Sequence, residues 1–466
     1  MDLDQIKRGH IGEPPPFRKI IGPSFILLGL GLGTGELILW PYLTANYGLG
    51  IIWGALVGIS MQFFINMEIE RYTLATGESV FVGLSRKLGK IIPIWFILST
   101  LIPWMWPGIV TAAAKIMGAG FGVGNTDWLA MGMLVVTGIM LTLGKVLYQT
   151  QENFQKWLII FGVPFILGIA WLFVGREQLN DLAMGLIGKG DGYNFIPAGI
   201  SISSFLAALA FSGAGGNLNL AVSQNVREKG HGMGASAGRI TSLLTGSREE
   251  IVLTGKDFEP TKENLGIFNR WWKMVNWEHG IVFWLTGLIT MLSLALLSYS
   301  TVYKRLAGVS GVNFVISEGA VIGEKIGMFG GRLFLVVVGL MLFATQLSVL
   351  ATTGKIMAEN WAILNYKKFK SEKLSRYFYQ FLWILIGLQV IVFSIGIREP
   401  LQLVMISAVL NAGTMFVYTL LVLWLNTRTL ERNVRPGLVR KIILAVTAIF
   451  FGCFSVWSLM QLTGFA

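Results

Sequence analysis

Long apolar runs alternate with short polar connections from about residue 20 to the end of the chain. A bilayer core about 30 Å thick is crossed by about 20 apolar residues in a helix, and windows of that length predict eleven spans. Their approximate cores are 20–46, 51–72, 91–119, 127–147, 155–175, 196–224, 279–300, 328–356, 377–396, 400–426 and 440–463. Two of these runs are interrupted by glycine. Span 1 holds Gly29-Leu-Gly-Leu-Gly33-Thr-Gly35-Glu36, and span 6 holds Gly213-Ala-Gly215-Gly216-Asn217. Lipid offers no hydrogen bonds, so non-helical backbone at membrane depth survives only where it lines a cavity or is buried in protein. Interrupted segments at matching places in two halves of a chain point to a secondary transporter and its substrate site.

The polar connections give an orientation. With the N-terminus inside, the inner connections carry Arg71, Arg86, Lys87, Lys90, Lys145 and Lys156, the 227–277 loop, the Lys367-Lys368-Phe-Lys370 cluster, and Arg428 through Lys441. The outer connections carry mainly Arg176, Lys189, Lys304, Arg305, Lys325 and Arg398. Lys and Arg accumulate on the cytoplasmic side, which places the N-terminus inside and the C-terminus outside. Two halves of five spans then run in opposite senses, so spans 1–5 and 6–10 form an inverted repeat with the broken members in register, and span 11 is an addition. This is the LeuT-type arrangement. The alternative is one long bundle with incidental glycines, since Gly is common in membrane helices. The expected plan is a cytoplasmic tail at 1–19, a ten-span core at 20–426 (repeats 20–175 and 196–426), and a linker with span 11 at 427–466. The 227–277 loop reads as a surface connector in which Ser247-Arg-Glu-Glu250 opens a short helix. Residues 77–90 read as an interfacial amphipathic segment.

Composition agrees with the pattern. Hydrophobic residues make up 54% of the 466 and charged ones only 13%, with mean hydropathy +0.65. Soluble domains carry about a quarter charged residues, so the chain is an all-α integral membrane protein with the lipid bilayer as its first partner. The net charge of +12 lies between the apolar runs, where positive-inside orientation explains it without nucleic acid. The polar N-terminal stretch, with Pro14, Pro15 and Pro16, lacks the apolar segment of a signal peptide. The single cysteine, Cys453, excludes an intramolecular disulfide and reads as a buried small hydrophobe. His10, His231 and His279 lack metal-site spacing and there is no phosphate-binding P-loop, so neither an enzyme, an ATP-driven pump nor a bound cofactor is expected.

The candidate chemistry sits at the two interruptions. Glu36 follows the first break, and an acid at membrane depth is expensive and usually faces the interior or a water-filled path. It is either a cation ligand and proton carrier, or a carboxylate bonded to the free amides of the second half-helix. Gly33, Gly35, Gly213, Gly215 and Gly216 free the backbone. Amides exposed at half-helix N-termini suit an anion and exposed carbonyls suit a cation; close helix packing is the plainer reading of the same glycines. Thr34, Ser212, Asn217 and Asn219 add neutral polar groups. Lys115, late in span 3, either snorkels to the outer interface or faces the pathway. Glu68, Glu70 and Arg71 read as a gate or a surface pair. Gln346, Ser348 and Asn411 read as interhelical hydrogen-bonding groups, Gln346 also being a candidate for the pathway.

Several stretches resemble the Nramp family of divalent metal transporters: Gly33-Thr-Gly-Glu36, Ala45-Asn-Tyr-Gly-Leu-Gly50, Glu70-Arg-Tyr-Thr-Leu-Ala-Thr-Gly77, Ala344-Thr-Gln346-Leu-Ser348 and Leu425-Asn-Thr-Arg428. The resemblance spans nearly the whole chain and implies the LeuT fold with eleven helices in a membrane, by analogy a bacterial cytoplasmic one. It also exposes departures at the substrate site. The family's span 1 reads Asp-Pro-Gly-Asn, and here Gly33, Thr34, Gly35 and Glu36 stand in those places. Its span 6 reads Met-Pro-His-Asn, matched here by Ala214, Gly215, Gly216 and Asn217. Two span 3 acids linked to proton transfer correspond to Ala112 and Lys115. The soft sulfur that favours transition metals is absent, so the metal ligands, if any, are unknown. The expectation is an Nramp-related secondary transporter of a small inorganic ion, with or without a coupled proton. It leans to a small anion such as bicarbonate. The alternatives are a divalent cation (Mg²⁺ or Mn²⁺) held by Glu36 and Asn217, and a membrane sensor that transports nothing.

Overall fold

The computed structural model describes residues 3–4, 6–143, 147–236, 252–303, 305 and 310–463. Nine helices among them are long and apolar enough to cross a membrane: Pro23–Tyr47, Leu49–Thr76, Ile91–Phe121, Glu152–Phe173, Lys262–Thr301, Met328–Leu364, Ser371–Ser394, Pro400–Thr429 and Leu438–Ser458. The shorter apolar helix Asp127–Leu143 is span 4. Span 6 is divided into Ile202–Ala210 and Val222–Lys229, so helices occupy all eleven expected positions in the expected order, nine of them long and apolar enough to cross a membrane.

Span 1 is the most enclosed, with 94% of its apolar window buried, against 33% for spans 5 and 11 at the periphery. Its first helix, Pro23–Gly31, starts on a proline whose missing N–H is one of the unpaired amides of a first turn. The chain leaves helical geometry at Leu32 and Gly33, then continues through a widened turn over Gly35–Leu39 into Trp40–Tyr47. Span 6 breaks between Phe211 and Gly215 and restarts as a tight turn, Gly216–Ala221, before its second helix.

The connections sort onto two faces. On one, the Leu49–Ile51 turn lies under the helix Arg176–Leu186, and the Tyr193 hydroxyl donates to the Tyr47 carbonyl at 2.8 Å. Tyr299, at the end of span 7, reaches Asp181 at 2.9 Å on the same face. On the other, strand Lys7–Gly9 pairs in parallel with Lys256–Phe258, and Arg71 donates to the Val434 carbonyl at 3.0 Å. This alternation is what eleven consecutive crossings require.

Several expectations are corrected. Span 3 is broken at Met105–Pro107 into Ile91–Trp104 and Gly108–Phe121, because Pro103 and Pro107 each lack an amide and crowd the preceding turn. Part of the 227–277 connector is a helix, Lys262–His279, continuous with span 7. Thr261 caps it by accepting the Asn264 amide at 3.2 Å, and Ile267, Phe268, Trp271 and Val275 form its buried stripe. The Ser247–Glu250 helix start, Lys145 and Lys304 lie outside the described residues. Residues 77–90 do form a helix, Val80–Leu88, but Val80 to Ser85 are buried by protein. Glu68 and Arg71 form a pair at 2.8 Å that is buried, not superficial. Cys453 is exposed on span 11, because a single-sequence pattern cannot tell a lipid-facing position from a protein-facing one.

Candidate functional site

The two breaks meet each other. A Cβ on Gly31 would stand 3.1 Å from the backbone of Gly213, and one on Gly35 would stand 1.6 Å from the Phe211 carbonyl oxygen. A Cβ on Gly33 would lie 2.3 Å from Cγ2 of Thr345 in span 8. Spans 1 and 6 therefore touch backbone to backbone, and the Thr345 side chain of span 8 packs onto the bare backbone at Gly33, which only glycine permits. Gly215 and Gly216 also take φ of +74° and +51°, the left-handed region that side chains avoid. Gly33, Thr34, Gly35, Glu36, Ala214, Gly215, Gly216 and Asn217 are brought together here and all are buried.

A broken helix leaves amides and carbonyls unpaired, and buried ones need partners. Gln62 of span 2 supplies several at once. Its Oε1 accepts the Gly215 amide at 3.2 Å, while its Nε2 donates to the Ala210 carbonyl at 3.1 Å and the Leu209 carbonyl at 3.4 Å. The amides of Gly213, Ala214, Gly216 and Asn217 make no backbone hydrogen bond among the described residues. They lead directly into the N-terminal end of the second half of span 6.

Side-chain groups surround the same point. Asn217 Nδ2 donates to Ser99 and Thr100 of span 3 at 2.8 and 3.0 Å. Asn219 Nδ2 donates to Gln62 Oε1 and to the Tyr418 hydroxyl at 3.2 and 3.0 Å. Asn411 of span 10 lies over Gly216 and donates to Ser407 at 3.4 Å. The Oδ1 atoms of Asn217, Asn219 and Asn411 are buried without partners. Glu36 lies against span 7: its Oε1 is 3.3 Å from where a Cβ on Gly287 would sit, and its Oε2 has no hydrogen bond among the described residues. Trp104, at the break in span 3, stacks on Phe211 with ring centroids 5.6 Å apart.

Other sequence candidates lie elsewhere. Lys115 is at the opposite end of span 3 from the 77–90 segment, 4.0 Å from Glu399 with its side chain 33% exposed. Gln346 donates to Gln389 at 2.9 Å, and Gln389 donates to the Trp104 carbonyl at 2.9 Å, so this chain of amides serves the break in span 3. Ser348 bonds Gln155 of span 5. Glu68 also takes Asn426 and Arg440 at 3.1 and 3.3 Å. The sequence reading missed Gln62, Gln389 and Thr345. It also missed a buried set at the foot of span 1, where Ser24 bonds Glu278 and His279 of span 7 and the Gly22 amide reaches Glu278 at 3.3 Å. The available signal was a polar residue inside an apolar run, as in Met61-Gln62-Phe63. No three His, Cys, Asp or Glu side chains among the described residues are grouped to hold a metal ion.

The sequence matches no protein-family model and no curated protein. Solved structures do match in fold. The manganese transporter of Eremococcus coleocola, bound to an aromatic bis-isothiourea compound, superposes with a TM-score of 0.73 at 12% identity, covering 98% of this chain and 90% of that one. A mutant of the same transporter gives a TM-score of 0.72 over the same shares. Mhp1, a nucleobase-cation-symport-1 family transporter in a closed conformation, gives 0.51 at 12% identity, covering 96% and 95%. The chain thus has the all-α membrane fold of the LeuT-type, Nramp-like transporters that its broken spans and its motifs anticipate.

Proposed function

We propose that this chain is a secondary transporter of a small inorganic ion, and that the ion is a small anion of the bicarbonate class. The observation that carries this reading is the set of amides at Gly213, Ala214, Gly216 and Asn217, which make no backbone hydrogen bond among the described residues. They stand at the N-terminal end of a half-helix, where the helix dipole and free N–H groups favour negative charge. Glu36 lies beside Gly287 of span 7, and its Oε2 makes no hydrogen bond to these amides among the described residues. The domain plan of two opposed five-span repeats, with a cytoplasmic N-terminus and the membrane of a bacterial cell as location, belongs to the same proposal.

A second reading has its own support. The partnerless Oδ1 atoms of Asn217, Asn219 and Asn411 and Oε2 of Glu36 are hard oxygen donors of the kind Mg²⁺ takes. The orientation of the Asn219 amide is fixed: Gln62 Oε1 already accepts the Gly215 amide, so the Asn219 atom that faces it must be the Nδ2 donor. The Eremococcus coleocola neighbour is by its description a manganese transporter, and Mn²⁺ belongs in the same comparison.

The test is flux into proteoliposomes, with bicarbonate followed by internal pH and Mg²⁺ or Mn²⁺ by an enclosed dye. Bicarbonate flux that survives in Glu36→Gln with an altered pH profile is the expected result. Saturable metal uptake abolished by Glu36→Gln would establish the cation reading instead. Folded protein with no flux of either kind would leave the sensor role.

A further inference from the structure

A cavity of about 360 Å³ lies on the face that carries the N-terminus, away from the breaks. Its walls come from four separated parts of the chain. His10 belongs to the N-terminal segment, Lys19 to the foot of span 1, Lys229 to the last turn of span 6 and His231 to the turn after it, and Lys256 and Trp271 to the stretch leading into span 7. Lys19 and Lys256 are exposed and form no ion pair among the described residues. Lys229 shares Glu152 at 3.0 Å. The one carboxylate on the wall, Glu13, is taken by the Arg270 guanidinium. The cavity is therefore positive, and like charges gathered around one space favour a multivalent counterion.

His231 gives an independent sign. Only 3% exposed, it lines this cavity with both ring nitrogens unpartnered. Trp271 packs against it at 5.4 Å between centroids and is itself fixed by its Nε1 donating to the Gly12 carbonyl at 2.8 Å. Burial first, and then the Lys229 ammonium, push its pKa down to about 3, with the Ile20 carbonyl acting the other way. The ring is neutral at physiological pH, and the acceptor that bears on its N–H among the described residues, the Ile20 carbonyl, is too poorly placed to make a hydrogen bond of ordinary geometry. A buried donor without a well-placed acceptor needs an explanation, and a ligand in the adjoining cavity is one.

We propose that this cavity binds a phosphate-bearing anion, with Lys19, Lys229 and Lys256 balancing its charge and His231 donating to one of its oxygens. Several lysines around one space suit a group with two or more charges and acceptors in several directions, which a single carboxylate lacks. The volume is at the lower end of small-molecule sites, about 300–1,000 Å³. The ligand would join the inner foot of span 1 to that of span 6, the two broken spans. Its phosphate would belong either to a free solute or to a lipid headgroup.

The experiment uses the full-length protein in an uncharged detergent, titrated calorimetrically with inorganic pyrophosphate, and in parallel in nanodiscs with and without phosphatidic acid. The comparison is the Lys19→Gln/Lys256→Gln variant, whose two side chains are exposed and unpaired, with its ligand-free melting temperature as the check on folding. Saturable pyrophosphate binding that weakens by at least about tenfold in the variant supports the site with a soluble ligand. Selective retention of phosphatidic acid by the wild type, reduced to the same extent in the variant, supports it with a lipid headgroup. Absence of both in folded wild type, or binding that the variant leaves unchanged, overturns the proposal. His231→Phe gives the second check, because it removes the donor and keeps the aromatic packing, and it too should weaken binding.

Discussion

Gly35 shows how little freedom a residue has where two broken helices touch. Its missing Cβ would fall 1.6 Å from the Phe211 carbonyl oxygen, a backbone atom that cannot rotate away. Gly35→Ala should cost about 1–3 kcal/mol, the usual range for overpacking, read as a lower melting temperature of the purified protein. Gly132→Ala is the control, since nothing lies within 4 Å of a Cβ there, and it should leave the melting temperature unchanged or slightly raised. An equal fall in both would show that the contact between spans 1 and 6 is not what Gly35 serves. The glycines were legible in the sequence as sites where the backbone is special. Whether they open a site or allow close packing was not, because both uses need the same residue. The structure shows close packing at Gly33 and Gly35, and left-handed backbone as well at Gly215 and Gly216.

Among elements, the broken spans are held by glutamines from unbroken neighbours. Gln62 of span 2 serves span 6, and Gln389 of span 9 serves the break in span 3. Gln155 of span 5 bridges to the Ala344 carbonyl of span 8 at 3.3 Å, beside Gly29. A carboxamide suits this work because it carries a donor and an acceptor and no charge to desolvate. Gln62→Leu keeps the apolar bulk and strips the Gly215 amide of its partner. An orphaned buried group costs about 1–3 kcal/mol, so the variant should melt earlier and its 209–219 amides should exchange with deuterium faster than those of span 8. Uniform exchange across both segments would argue against a local clamp. Elements were the most legible scale of the sequence: helices stand at all eleven positions read from length and hydropathy, nine of them long and apolar enough to cross a membrane. The break in span 3 escaped, although Pro103 and Pro107 were in view, because proline inside a membrane helix is often accommodated without unwinding.

For the whole molecule, buried ion pairs tie elements together on the N-terminal face. Arg227 meets Glu359 at 2.9 Å and Lys355 meets Glu228 at 2.9 Å, tying the C-terminal end of span 6 to span 8. The opposite face is held by partly exposed pairs, Lys115–Glu399 at 4.0 Å and Asp127–Arg398 at 2.7 Å, which contribute little on their own. The orientation of these faces is testable. In a Cys453→Ser background, a membrane-impermeant maleimide added to intact cells should label Asp191→Cys and spare Lys367→Cys. The reverse pattern would turn the protein over and undo the positive-inside reading.

The sequence alone determined the span count, their alternation and the matched positions of two breaks, because hydrophobic length and glycine placement act locally and need no partner to be read. It also showed that Glu36 and Asn217 are polar groups at membrane depth. Only the tertiary structure decided where those groups point. Glu36 turns to Gly287, Asn217 turns to Ser99 and Thr100, and Gln62 satisfies the broken end of span 6 from 153 residues away along the chain. A buried polar atom takes whichever partner the packing of distant segments brings within about 3 Å, and that choice is made in space, not along the sequence.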